Sequence, residues 1–297
     1  MSKRPTVPWP ALLGTVALSG AALAAYLVVA GRRGADELLR PIPKQPLEDP
    51  ADYGLPAQAE RVPSTDGLSL GAWYVPAKEP TDRAIAMFHG HSAARSQLLR
   101  YARFLHPHFN CLLVDFRACG DSEGPCSSMG YFEAEDVQSA VRWLQARGMA
   151  RIGAFGMSMG GAAATRAAVE TPAIVALATD GTFDRIAHVV AKRARDRHYP
   201  FPGLVGRAVV AEAGRRLGVS LSPDPVELIP RLAPRPVMVI HGDADATSEV
   251  ANGHRLFAAA REPKELLVVP GAPHTQAWAV SPLEYERRLT GFFRRHV

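Results

Sequence analysis

Three residues far apart in the chain have the types and spacing that acyl transfer needs. Gly156-Met157-Ser158-Met159-Gly160 has the G-x-S-x-G pattern, in which glycines two positions either side leave room for a sharp turn that lifts a serine hydroxyl clear of its surroundings. A serine hydroxyl needs a base, and an imidazole base needs an acid to hold its tautomer. Asp245 in His241-Gly242-Asp243-Ala244-Asp245 and His274 in Pro270-Gly271-Ala272-Pro273-His274 supply both, in the chain order Ser, Asp, His. Ser158 is therefore the candidate nucleophile, His274 the base and Asp245 the acid. Asp243 and Asp180 are rival acids, and a plain glycine-rich turn is the competing reading of the serine motif. Of the ten histidines, His106, His108, His188, His254 and His296 read as surface or structural residues.

Acyl transfer also needs donors for a developing oxyanion. The backbone N–H of Met159, at the start of the helix after the serine, is one candidate. The other is the amide of His91 in His89-Gly90-His91-Ser92, where Gly90 lets the backbone turn back toward the serine. The His91 side chain reads either as a substrate contact or as an incidental rim residue.

The elements that must position these residues alternate in type. Strand-like runs cover Leu68 to Val75, Ala84 to His89, Cys111 to Phe116, Arg151 to Phe155, Ile174 to Thr179, Pro236 to His241 and Lys264 to Val269. Helical patterns lie at Ser96 to Leu105, Glu133 to Arg147, Met159 to Val169, Ser248 to Ala260 and Leu283 to Arg295. This order predicts an α/β fold, a mostly parallel sheet with helices on both faces. Ser158, Asp245 and His274 each follow a strand, so all three fall at one sheet edge, where open α/β sheets place their sites. The segment 183–235 is longer than a normal connection and predicts a small helical cap.

The amino-terminal segment reads differently. No charged residue lies between Arg4 and Arg32, and the apolar run over 9–30 is long enough to span a bilayer. A single-pass membrane anchor over 1–32 is expected; a cleaved signal peptide ending near Ala22-Leu23-Ala24 is the alternative. Lys3 and Arg4 on one side balance Arg32, Arg33 and Arg40 on the other, which assigns no side. Pro41, Pro43, Pro46, Pro50 and Pro56 mark 33–59 as a linker, with the globular domain over 60–297.

Composition narrows the field of functions. Hydrophobic residues at 47% and charged residues at 21% over 297 residues exclude a disordered chain and allow a full core. A net charge of +5 is too small to argue for nucleic acid. Cys111, Cys119 and Cys126 have no metal-ligand spacing, so neither metal nor cofactor is called for, although Cys119 and Cys126 are close enough in sequence to pair.

Five segments taken in order resemble the α/β-hydrolase superfamily: His89-Gly90, the Asp115-Phe116-Arg117-Ala118-Cys119-Gly120-Asp121-Ser122 run, the elbow at Ser158, the Gly242-x-x-Asp245 loop and His274. The resemblance covers the chain from about Glu60 onward and implies a mostly parallel sheet of about eight strands. It implies Ser158 as nucleophile, Asp245 as acid and His274 as base, and it points to bacterial relatives of the prolyl-oligopeptidase and serine-aminopeptidase groups. Cys119 departs from the residue common in that loop. The expected activity is a serine hydrolase acting on an ester, thioester or amide through an acyl-enzyme, with a small-molecule or lipid-like acyl substrate; basic residues of the cap, among them Lys192, Arg193 and Arg197, read either as a solvated helix face, the commoner origin of such charges, or as a contact for anionic lipid headgroups. The contrasting expectation is a non-catalytic, membrane-tethered binding module on the same fold.

Overall fold

The computed structural model describes residues 9–40 and 48–297, with side chains in the first helix from residue 20 onward. Eight strands form one sheet: β1 (Gln58–Pro63), β2 (Ser69–Val75), β3 (Arg83–Phe88), β4 (Asn110–Val114), β5 (Arg151–Met157), β6 (Ile174–Asp180), β7 (Val237–Gly242) and β8 (Lys264–Val269). Their order is β1-β2-β4-β3-β5-β6-β7-β8. The pairs β1·β2 and β2·β4 are antiparallel and the rest are parallel. The helices are α1 (Trp9–Leu39), α2 (Leu99–Leu105), α3 (Glu133–Ala146), α4 (Met159–Glu170), α5 (Ile186–Asp196), α6 (Pro202–Leu217), α7 (Pro225–Leu228), α8 (Val250–Ala259), α9 (Ala277–Val280) and α10 (Pro282–His296).

Strand periodicity sorts the central side chains into two cores. Ala84, Ala86, Phe88, Ile152, Ala154, Val237 and Val239 face α3, α4 and α8. Their neighbours Ile85, Met87, Phe155, Met157, Met238 and Ile240 face α2 and α10, which contribute Leu99, Tyr101, Tyr285 and Phe292. Central strands covered on both faces have no polar alternation, which is why they read as continuous apolar runs. β1 escapes that reading because it is an edge strand with Val62 as its one buried side chain.

The Asp115-to-Ser122 run ties the end of β4 to its neighbours. Asp115 accepts from the Arg95 amide at 2.6 Å and pairs with its guanidinium, while Ser122 Oγ donates to the Asp115 carbonyl at 2.7 Å. Arg117 Nη2 and Nε donate to the fully buried Asp136 carboxylate of α3 at 2.7 and 3.0 Å. The cysteines are three free thiols, so Cys119 and Cys126 do not pair.

The amino-terminal segment departs from expectation. No helix among the described residues is long and apolar enough to cross a membrane, so the transmembrane helix expected over 9–30 is not found there. The side chains of residues 9–19, the first part of that run, lie outside the described ones. α1 runs on through Arg32, Arg33, Asp36 and Glu37 to Leu39, across the expected start of the linker. It does so because Ala30 and Ala35 are buried against the rest of the fold and Asp36 pairs with Arg216 of α6 at 2.5 Å. Within the remaining linker, Pro50–Tyr53 forms a 3₁₀ turn capped by the Asp49 side chain, and residues 41–47 lie outside the described ones. The expected cap over 183–235 holds α5, α6, α7 and a 3₁₀ turn at Ile229–Leu232.

Breaking the Arg117–Asp136 pair on one side leaves a buried carboxylate without its partner. Arg117→Met is expected to lower the unfolding free energy by about 3 kcal/mol or more in urea titrations, and a loss under about 1 kcal/mol would show that the pair is not holding this loop.

Candidate active site

The site is built at the carboxyl ends of β5, β7 and β8. Ser158 connects β5 to α4 with φ 50° and ψ −115°, a conformation that costs a non-glycine residue about 1–3 kcal/mol and persists only where packing enforces it. Two glycines provide that packing through closeness rather than through unusual dihedrals. A methyl at Gly156 would come within 2.4 Å of the Gly160 backbone, and one at Gly160 within 2.4 Å of the Phe88 carbonyl oxygen. The Ser158 amide donates to the Asp180 carbonyl at 2.8 Å, pinning the turn to the end of β6.

His274 lies in the loop after β8. Its Nε2 is 3.1 Å from Ser158 Oγ and its Nδ1 is 2.6 Å from Asp245 Oδ2. An ionised carboxylate only accepts, so Nδ1 carries the proton and the Nε2 lone pair faces the serine. Asp245 Oδ1 accepts from the amides of Thr247 and Ser248, each at 2.8 Å. Burial pushes the Asp245 carboxyl upward, but hydrogen bonds from His241 and His274 and from the Ser248 amide outweigh it and hold it well below the usual carboxylate range.

The rival acids sit elsewhere. Asp243 Oδ1 accepts from the Gly271 amide at 2.6 Å, a turn contact. Asp180 is fully buried and accepts from Tyr285 Oη at 2.9 Å through Oδ2, while Oδ1 has no partner. Burial first, and the Asp245 charge after it, push its carboxyl up to about 6 against the lowering bond from Tyr285 and the nearby histidines.

His241, which the sequence reading passed over, lies on β7 with Nε2 3.4 Å from Asp245 Oδ2 and also against the Ser248 carbonyl. Burial lowers its pKa, yet the bonds to Asp245 and Ser248 leave it raised. Its spacing of four residues before Asp245 was visible, but nothing in a β-strand pattern says that the loop folds back onto the ring.

The oxyanion candidates flank the serine. Met159 opens α4, where the first amides have no partner within the helix. Gly90 lies against the serine, its absent methyl 3.5 Å from Ser158 Cβ. The turn there is fixed by His89, whose Nδ1 donates to the Gly90 carbonyl at 2.7 Å while Nε2 accepts from the Phe116 amide at 3.0 Å. That pattern is a neutral imidazole, and burial lowers its pKa to about 4. The Gly90 amide is taken by Gln97 Oε1 at 2.9 Å. The His91 ring turns toward α1 and donates from Nε2 to the Leu38 carbonyl at 3.2 Å.

In front of Ser158 is a cavity of about 220 Å³ whose lining includes His274, Met129, Phe183, Val189 and Val190. It is a mostly apolar space with the serine and imidazole at one wall, a form suited to a ligand with one reactive polar group.

Asp245 links the site to stability. Its carboxyl is lower in the folded than in the unfolded chain, so its contribution is complete above the unfolded value, about pH 4, and is lost as pH falls further. The unfolding free energy of Asp245→Asn should therefore lie below wild type at pH 7, with the gap narrowing progressively as pH falls below about 4; a gap that widens on acidification would contradict this.

Known proteins place the chain. A family model described as alpha/beta hydrolase family matches residues 85–288. Over 228 residues the chain is 35% identical to the uncharacterized protein Rv2307c of Mycobacterium tuberculosis, covering 74% of this chain and 73% of that one. Among solved structures it is similar to the Pyrococcus furiosus esterase Pf2001, with a TM-score of 0.74, 22% identity and coverage of 88% and 98% of the two chains. It is also similar to a bacterial membrane phospholipase A, with a TM-score of 0.61, 20% identity and coverage of 96% and 97%. At such identities the structural likeness speaks for the fold alone, while the matched sequence model covers more than half of the chain. The chain belongs to the alpha/beta hydrolase family.

Proposed function

We propose that the protein is a serine hydrolase that cleaves a carboxylic ester, with thioesters and amides in the same chemical class, through a covalent acyl-enzyme. The observation that carries this reading is the His274 imidazole bridging Ser158 Oγ and Asp245 Oδ2. In the first step Nε2 takes the serine proton as Oγ attacks the carbonyl carbon, and Asp245 stabilises the imidazolium without taking its proton. The amides of Met159 and His91 hold the oxyanion. The imidazolium then protonates the leaving group, and a water, deprotonated by the same Nε2, releases the acid.

The apolar cavity lining favours an aliphatic or lipid-like acyl group, and the similar proteins include an esterase and a membrane phospholipase A. A nearer kinship to the prolyl-oligopeptidase and serine-aminopeptidase groups rests on the five sequence motifs alone. Membrane attachment rests on the uncharged run between Arg4 and Arg32, and exposed Val28, Val29, Phe201 and Leu204 are compatible with an apolar surface contact. The reading as a binding module is disfavoured by the strained Ser158 backbone, which binding alone does not call for.

Ser158→Ala is expected to reduce ester hydrolysis by at least about 10³-fold with an unchanged circular dichroism spectrum, and Asp245→Asn by about 10³- to 10⁴-fold. Steady-state kinetics on short p-nitrophenyl esters measures both. Hydrolysis near the wild-type rate in Ser158→Ala would overturn the assignment, and a larger loss in Asp180→Asn than in Asp245→Asn would move the acid.

A further inference from the structure

One wall of the cavity comes from a segment that none of the catalytic motifs contains. Glu37 and Leu38, in the last turn of α1, line it together with Val189, Val190 and Arg193 of the cap. Three sets of contacts hold that turn in register. Gly31 and Gly34 let α1 lie close on α6, where a methyl at Gly31 would fall 3.1 Å from the Ala208 carbonyl oxygen and one at Gly34 2.3 Å from Val209 Cγ2. The carbonyls of Leu38 and Leu39 accept from His91 Nε2 at 3.2 Å and from the Ser127 amide at 3.0 Å. Glu37 accepts from Arg197 Nη1 at 2.9 Å and pairs with Arg193 at 3.3 Å.

Leu38 is thereby fixed relative to Ser158 through His91, with the apolar residues Met129, Phe183, Val189 and Val190 completing the cavity. Glu37 and Arg193 keep 47% and 59% of their side-chain surface exposed, which puts the solvent side of the cavity at that ion pair. A leaving alcohol has to depart, whereas the acyl chain stays bonded to Oγ until water arrives; the enclosed apolar part therefore suits the acyl chain.

Resting on the hydrolase reading above, we infer that Leu38 is a specificity-determining residue that closes the acyl subsite, and that the substrates are esters of aliphatic acids whose chain length it limits. The cavity of about 220 Å³ is bounded on the α1 side by Leu38, so the reach of that side chain limits how long an acyl group fits in front of Ser158. Truncating Leu38 opens room for further methylenes, each worth about fourfold in kcat/KM when buried.

The test uses the full chain and its Leu38→Ala and Leu38→Trp variants on p-nitrophenyl esters from acetyl to dodecanoyl, beside acetate esters of alcohols of rising length. Leu38→Ala should move the acyl optimum to longer chains and raise the octanoyl-to-butanoyl ratio of kcat/KM about sixteenfold, from two added methylenes. Leu38→Trp should move the optimum toward acetyl, and the alcohol series should not shift. One acyl profile shared by all three proteins, or a shift confined to the alcohol series, would overturn the inference. Ser158→Ala run alongside separates the two levels: hydrolysis that survives in it removes the hydrolase reading itself, whereas Ser158-dependent hydrolysis with an unmoved profile removes only the role of Leu38.

Discussion

The turn from β5 into α4 is the constraint on which the site depends. Ser158 is held at a positive φ by glycines that fit against neighbouring backbone with no space for a methyl group, and by its own amide bonded across to Asp180. That turn fixes Oγ relative to the sheet, and the parallel pairing of β5, β6, β7 and β8 brings the ends of the last two strands alongside. His274 and Asp245 then need only short loops to reach it. The strain in the turn is compensated by burial of the two cores, in keeping with a site whose geometry is set before any ligand arrives.

Charge is arranged around the same point. Asp245 is buried and would be costly as an isolated anion, but two amides and two imidazoles satisfy it. His241 approaches Asp245 Oδ2, the oxygen that His274 also uses, so a second ring competes for and stabilises that anion. Asp180, close by, stays apart from His274 and is raised instead of lowered, which separates the two carboxylates by environment rather than by type.

Much of this was legible in the sequence. The seven strand-like runs coincide with β2 to β8; β3 to β7, buried on both faces, write themselves as nearly unbroken apolar stretches, and the glycine-flanked Ser158 announced its turn. β1 was not legible, since an edge strand with one buried side chain has no pattern to see. The extent of α1 was masked by Arg32, Arg33, Asp36 and Glu37, whose charges read as the end of an apolar helix but face solvent and the cap. The contributions of Leu38 and His241 arise from tertiary folding of segments with no chemical motif of their own, and only coordinates can supply them.

The central claim is that Ser158 is a nucleophile activated through His274. Its most direct test is reaction of the full chain, with the α1 wall in place, with a fluorophosphonate and location of the adduct by peptide mass spectrometry. A single adduct on Ser158, absent in Ser158→Ala and formed at least about 10³-fold more slowly in His274→Ala, is the expected result. A folded protein that takes no adduct at Ser158, or one whose labelling rate is untouched by His274→Ala, would contradict the account.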